Sequence, residues 1–373
     1  MSWKSPASRT RHHPEAMKMG MKKYGRFQLP QPSVGQIIDD RKETRSRLEI
    51  MKAVTIKAPG DASVLHLDDV PEPIVAPGEV LIGVVAAGVN RADISQREGN
   101  YPPPAGAPEW PGLEVSGLVL QLGMGVTAFT IGDRVAALLP GGGYAERVSV
   151  PAGQVLKLPP NVELVDGAGL IEVAATVWSN VFLLGDLRAG ETLLVHGGSS
   201  GIGTMAIQLA RARGAHVAVT AGSAEKLAAC AALGASILID YHTEDFVERL
   251  KEEGVAAHVI LDSVGGSYLE RNIRALATDG HIVNIGNLSG EPATFDFGRL
   301  MAKRGAIHAT SLRSRSAAAK AAIVESVREN VWPLIADGSI VPVIAAQFPL
   351  ARASDAHRLM EGSTHIGKIV LVV

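Results

Sequence analysis

Val195-His196-Gly197-Gly198-Ser199-Ser200-Gly201-Ile202-Gly203 decides the fold of this chain. The apolar run 192–196 that leads into it reads as a β-strand, and 202–213 reads as a helix. Glycines at such a strand-to-helix turn let phosphates approach the backbone, and the helix N-terminus supplies N–H donors and positive potential. Outward from the turn the rhythm repeats. Strands are expected over 216–220, 237–240, 255–261 and 281–285, with helices over 224–233, 244–251 and 267–277. This alternation predicts an α/β fold with a doubly wound parallel sheet. Set in that series, the turn reads as a dinucleotide site built from Gly198, Ser199, Ser200, Gly201, Ile202 and Gly203.

In the dinucleotide fingerprint the three glycine positions fall on Gly198, Ser200 and Gly203, so the second is a serine with Gly201 beside it. The same residues also fit the Gly-x-x-x-Gly-x-Gly of short-chain dehydrogenases, which need a Tyr-x-x-x-Lys pair. Four residues beyond Tyr24, Tyr101, Tyr144, Tyr241 and Tyr268 stand Gln28, Ala105, Val148, Asp245 and Asn272. None is lysine, and that reading fails. An NAD site places an acid at the end of the second strand. Here the strand ends Val219-Thr220-Ala221-Gly222-Ser223, without one, and Lys226 follows. Small hydroxyls and a lysine suit a 2′-phosphate, so NADP is expected. Glu225 is the opposing residue, turned elsewhere by its place on the helix.

Before the turn, from Met51 to about Pro160, short strands alternate with Gly and Pro turns, which suggests a β-barrel or partly open sheet. Strands are expected over 79–89, 116–122, 133–139 and 144–150. A long helix over 165–184 is expected to link two domains. The C-terminal part mixes helix and strand and would complete the first domain. The reading is 51–175 for the barrel domain, completed by 311–373, and 176–310 for the nucleotide domain.

The whole chain of 373 residues carries a formal charge of −2, so no strong field attracts nucleic acid. The longest uncharged apolar stretch noted, 80–89, falls short of the ~20 residues a membrane helix needs. A single cysteine, Cys230, excludes an internal disulfide framework and any Cys-rich zinc site. It reads as a packed, inert thiol in a cytoplasmic protein. Residues 1–50 are a separate matter: 11 Lys/Arg against 5 Asp/Glu, with no sustained periodicity. They read as a disordered or non-native extension, with a targeting address or a nucleic-acid arm as the other readings.

The body of the chain resembles the zinc-independent quinone oxidoreductase branch of the medium-chain dehydrogenase/reductase superfamily. The resemblance is carried by Val89-Asn90-Arg91-Ala92-Asp93, Gly99-Asn100-Tyr101-Pro102, Gly112-Leu113-Glu114, the glycine turn, Asp262-Ser263-Val264-Gly265-Gly266 and Ile366-Gly367-Lys368-Ile369-Val370. It supports Met51 as the natural start. It implies a GroES-like β-barrel catalytic domain, a Rossmann cofactor domain, NADPH in the cleft between them, and a homodimer. By motif, Ser223, Lys226 and Tyr241 would hold the 2′-phosphate end. Ile285, Gly286 and Lys368 would lie near the nicotinamide, although Lys368 also reads as a surface charge. Zinc-dependent relatives hold metal with a cysteine and a histidine whose places fall on Asn90 and Leu113 here, so no metal is expected.

Without a metal, the expected chemistry is hydride transfer from NADPH to an acceptor that is already electrophilic, a quinone or an activated alkene. Asn90 would donate to the developing oxyanion or to the cofactor ribose. Tyr101 would stack on a planar acceptor or relay a proton. Asp93 reads as a turn or capping residue against an acid catalyst. Reduction of an enone or enoyl thioester is the alternative, with Arg313 and Arg315 as its one hint, and a non-catalytic NADPH sensor is the third reading.

Overall fold

The computed structural model describes residues 50–373. The extension read over 1–50 therefore falls, except for Ile50, outside the described residues. The chain begins with an antiparallel pair, β1 (Ile50–Ile56) and β2 (Leu65–Pro71). Then come β3 (Glu79–Val89), β4 (Glu114–Leu122), β5 (Arg134–Leu138), β6 (Arg147–Pro151) and β7 (Val155–Lys157). The next six are β8 (Thr192–His196), β9 (His216–Ala221), β10 (Ile237–Asp240), β11 (Ala257–Asp262), β12 (Leu276–Asn284) and β13 (Ala306–Ala309). The last are β14 (Ile344–Pro349) and β15 (Lys368–Val372).

Two larger sheets follow from the pairing. One runs β14-β15-β3-β4-β5-β7, with β6 also on β3. Its centre is β3, a run of apolar residues buried on both faces that serves three partners. The segment Glu79 to Gly83 pairs with β6, and Ala86 to Val89 pairs with β15. Register shifts against β4 between Leu81 and Ile82, and between Val84 and Ala86, bend the strand at the changeover. The C-terminal strand is thereby sewn into the N-terminal barrel.

The other sheet is parallel, in the order β10-β9-β8-β11-β12-β13. The chain winds outward through β8, β9 and β10, then crosses back to β11 and winds the other way. The order therefore reverses between β8 and β11, and ligands of such sheets bind outside the strand ends at that point. The central strands are apolar throughout, as strands covered on both faces must be. Leu193, Leu194, Val217, Ala218, Val259 and Ile260 have essentially no exposure.

The helix expected over 165–184 is broken. It forms Leu164–Gly167, resumes at Ile171–Val177 and widens into π turns over Trp178–Leu184. Gly167-Ala168-Gly169 lies at the break because this segment presses on the barrel: a methyl group at Gly169 would sit 3.1 Å from Lys368 Cβ. By length and composition Leu164–Leu184 suffices to cross a membrane, which the sequence reading overlooked. It is 78% buried, with Val173, Ala174, Val177 and Val181 in the main core. The strand expected over 144–150 begins only at Arg147, because Tyr144 turns into a buried polar network.

Candidate active site

The glycine turn sits at the sheet's switch point. Gly197 and Gly198 both donate to the Thr220 carbonyl, at 3.1 and 3.0 Å, which fixes the turn to β9. Ser200 caps the helix Gly201–Ala212, its hydroxyl accepting from the Gly203 N–H at 3.0 Å. That leaves the Gly201 and Ile202 N–H groups without intrahelical acceptors. Gly203 is required by close approach: a Cβ there would lie 2.5 Å from the Gly197 carbonyl oxygen. Ser199 is buried, and its carbonyl accepts from Gly367 at 2.8 Å, tying the turn to the segment before β15. The turn fits a pyrophosphate: small residues and a helix end. Cys230 lies behind it, buried, its thiol pushed up to about 12 by desolvation.

The residues expected at the 2′-phosphate are brought together. Ser223 caps the helix Ala224–Leu233, accepting from the Lys226 N–H at 3.3 Å. Tyr241, 45% exposed, leans over Gly222, where a Cβ would lie 2.7 Å from the ring Cζ. His242, which the sequence reading missed, joins this edge with its ring 4.5 Å from that of Tyr241. The Lys226 ammonium donates to the Ser363 carbonyl, across from the C-terminal helix Ala353–Glu361. Glu225 is exposed.

Ile285 and Gly286 follow β12. The Ile285 N–H donates to the Asp262 carbonyl at 2.8 Å, and Gly286 abuts Ser263. The buried Asp262 carboxylate accepts from Asn272 and Asn284, both at 3.0 Å. The motif Asp262 to Gly266 thus builds the sheet's rim.

Lys368 opens β15 and is no surface charge. It is 4% exposed, and its ammonium contacts Glu114 Oε1 at 2.7 Å, Asn90 Oδ1 at 2.6 Å and the Val89 carbonyl at 3.0 Å. Those three partners use all three of its protons. Its stem lies on the glycine turn, where a Cβ on Gly201 would come 2.9 Å from Lys368 Cγ. Asn90 bridges the pair, since its Nδ2 donates to Glu114 Oε1 at 3.2 Å. The sequence reading offered that amide to an oxyanion or to the cofactor ribose; in this structure it contacts both members of the ion pair. Glu114 also accepts the Glu172 backbone N–H at 3.0 Å. Burial, with the nearby Glu114 charge second, pushes the Glu172 carboxyl up to about 7. Glu172 is a further member that the sequence reading missed. Its signal was one acid in the apolar run 168–178.

Beneath this cluster Asp93 caps its own helix turn. It accepts the Asn90 N–H at 2.8 Å and the Gly112 N–H at 2.9 Å. Burial still outweighs those bonds and raises its carboxyl to about 6. Tyr144 donates to Asp93 at 3.2 Å, His357 Nε2 lies 3.2 Å from Tyr144, and Arg97 Nη1 lies 3.5 Å from His357 Nδ1. Burial drives His357 down to about 3, so the ring is neutral. With Tyr144 donating to Asp93, His357 Nε2–H donates to Tyr144 and Nδ1 accepts from Arg97.

Tyr101 joins the barrel side to the segment after β13. Its hydroxyl shares a hydrogen bond with Ser311, just past β13, at 2.8 Å. Arg313 is 5% exposed and is no surface patch. It lies 5.1 Å over the Tyr101 ring and donates to Gln96 Oε1 and the Pro140 carbonyl, both at 2.7 Å. Arg315 alone is exposed. Among the described residues no group of three or more His, Cys, Asp or Glu is arranged to hold a metal ion.

The chain matches the alcohol dehydrogenase GroES-like domain over residues 76–160 and the zinc-binding dehydrogenase family over 201–328. It is 30% identical to the mouse quinone oxidoreductase over 335 residues, covering 87% of this chain and 98% of that one. It belongs to the medium-chain dehydrogenase/reductase superfamily. Within that superfamily the structure is similar to the Escherichia coli quinone oxidoreductase complexed with NADPH, at 29% identity and a TM-score of 0.76, over 86% of this chain and 100% of that one. It is also 30% identical to the Mycobacterium tuberculosis phthioceranic/hydroxyphthioceranic acid synthase. That match takes in 90% of this chain but only 16% of the synthase. The superfamily membership accounts for the GroES-like and Rossmann pair of domains.

Proposed function

We propose that this protein is an NADPH-dependent reductase that delivers hydride to a quinone without a metal. The observation that carries this reading is the Lys368 ammonium seated against the glycine turn. It neutralises Glu114 at 2.7 Å and engages Asn90 at 2.6 Å, so the cation at this point of the cleft belongs to the chain itself.

Bound NADPH would supply the hydride, and the chain's own residues bind, orient and shield. The helix start at Gly201 and Ile202 receives the pyrophosphate. Ser223, Lys226 and Tyr241 receive the 2′-phosphate, with Lys226 exchanging the Ser363 carbonyl for a charged partner. Lys368, Glu114 and Asn90 form a rigid, internally neutral floor. Tyr101, held by Ser311 and Arg313, forms a wall that excludes water and offers a flat face to a planar acceptor. We read the outer edge of β13 as the place where two copies would pair.

A second reading, reduction of an enone or enoyl thioester, is favoured by the match to the synthase along 90% of this chain. NADPH oxidation, with NADH in parallel, against 1,4-benzoquinone, 9,10-phenanthrenequinone, an α,β-unsaturated ketone and crotonyl thioester separates the two. Chelator-resistant turnover of the quinones with NADPH is the expected result. Turnover of the ketone or thioester alone would replace the quinone reading, and binding without turnover would replace both with a sensor.

A further inference from the structure

Lys320 lies in the first turn of the helix Ala317–Asn330. It is only 4% exposed, and among the described residues its ammonium has no hydrogen-bond or ion-pair partner. The tip is nevertheless not sealed. Among the described residues the unpartnered side-chain atoms closed off from solvent are Gln154 Oε1, Glu172 Oε2, Arg249 Nε and His365 Nδ1. Side chains of a helix lean toward its N-terminus, which carries the ammonium back over the helix start. Burial, and then the Arg313 charge, oppose the ionised form there, and no carboxylate of the described residues is set against them. Arg313 gives its own hydrogen bonds to uncharged acceptors, the Pro140 and Tyr101 carbonyls and Gln96 Oε1.

The helix start adds to this positive field. Ser316 Oγ accepts the Ala319 N–H at 3.2 Å, and the Ser316 carbonyl accepts the Lys320 N–H at 3.0 Å. The Ala317 and Ala318 N–H groups are left without intrahelical acceptors. Ser314, Arg315 and Ser316 are exposed beside them. A desolvated cation with no counter-charge is costly, and an anion that enters removes the cost. A phosphate suits the place best, because its oxygens accept from an ammonium, a guanidinium, hydroxyls and helix N–H groups at once.

We propose that the start of the helix Ala317–Asn330 is an anion site, apart from the glycine turn, that takes a phosphate group on Lys320 and Arg315. The site does not depend on the reductase reading. Through Arg313, which lies over the Tyr101 ring, it adjoins the wall assigned to the acceptor. The phosphate comes either free from solution or at the end of an acceptor's phosphorylated arm.

Calorimetric titration of the full-length protein tests this, saturated with NADP and at constant ionic strength. The probes are inorganic phosphate, 4′-phosphopantetheine and pantetheine. Wild type is expected to bind the first two and not pantetheine. Lys320→Met, which keeps the stem and loses the charge, is expected to weaken both about tenfold. Lys251→Met, a change at a solvated lysine of the helix Phe246–Glu252, is expected to leave both unaltered. Phosphopantetheine bound at least tenfold more tightly than phosphate supports the site with an acceptor arm as the source, and equal affinities support it with free phosphate as the source. In phosphate-free buffer Lys320→Met is expected to match or exceed the wild-type urea midpoint, because it deletes an unpartnered buried charge. No binding of either phosphate overturns the proposal, and so does equal binding by wild type and Lys320→Met. A lower midpoint with undiminished phosphate affinity also overturns it and makes Lys320 a purely structural residue.

Discussion

The Lys368 ammonium and the Glu114 carboxylate lie 2.7 Å apart, one 4% exposed and the other not at all. The pair joins the last strand to β4 at the mouth of the nucleotide turn. Desolvating two charges is expensive, and what offsets it here is the completeness of their contacts: Asn90 and Val89 on the ammonium, Asn90 and the Glu172 N–H on the carboxylate.

Removal of one partner leaves the other buried and unpaired. Lys368→Met is expected to destabilise the fold by ~3–5 kcal/mol, read as a lower urea midpoint. The double variant Lys368→Met with Glu114→Leu is expected to recover part of that loss, because no charge is then left without a partner. Equal costs for the single and double variants would contradict the coupling.

The glycine turn, the alternation that follows it and the strand β3 are legible because each rests on neighbouring residues. The Lys368 contacts are not. They bring together Val89, Asn90, Glu114 and residue 368 through the register of β15 on β3, which local pattern does not encode. Arg313, paired in sequence with Arg315 as a hint of a thioester ligand, is buried by the fold over Tyr101. Strands β2, β7, β13 and β14 escape the pattern for another reason: β7 and β13 are short, and β2 and β14 are broken by polar residues and a terminal proline. Glu172 stands out in its apolar run, yet only the fold sets it beside Glu114.

Gly203→Ala is expected to abolish NADPH binding. The added methyl would meet the Gly197 carbonyl oxygen at 2.5 Å and backbone atoms of Gly198 as well, so the turn must open. Neither neighbour is a flexible side-chain end. Titration of NADPH fluorescence, with circular dichroism to confirm the fold, measures this. Unaltered binding would mean that the turn does not hold the pyrophosphate.

Lys226→Ala is expected to raise the KM for NADPH about tenfold and leave that for NADH unchanged, as loss of one charge-assisted contact of roughly 1.5 kcal/mol requires. The Lys226 backbone N–H donates to the Ser223 cap, and its ammonium already engages the Ser363 carbonyl. Equal effects on both nucleotides would assign Lys226 to the contact with Ser363 alone.

His357 makes stability depend on pH in the acid direction. Its folded-state pKa is pushed down to about 3 by burial and by the Arg97 charge, while an unfolded histidine titrates near its usual 6.5. Between those values the unfolded chain binds a proton that the folded chain refuses, so stability is full above about pH 6.5 and falls as the pH drops toward 3. Asp93 opposes this: its carboxyl is raised to about 6 from 3.8, so the folded chain binds the extra proton there. His365, lowered to about 4, acts with His357. In His357→Gln the slope of unfolding free energy against pH, measured by urea titration from pH 7 to 4.5, is expected to shrink by one proton, about 1.4 kcal/mol per pH unit. The comparison uses slopes because the substitution also disturbs the bonds to Tyr144 and Arg97 at every pH. A variant as acid-sensitive as the wild type would show that His357 takes up its proton within the folded chain, and the neutral ring between Arg97 and Tyr144 would have to be abandoned.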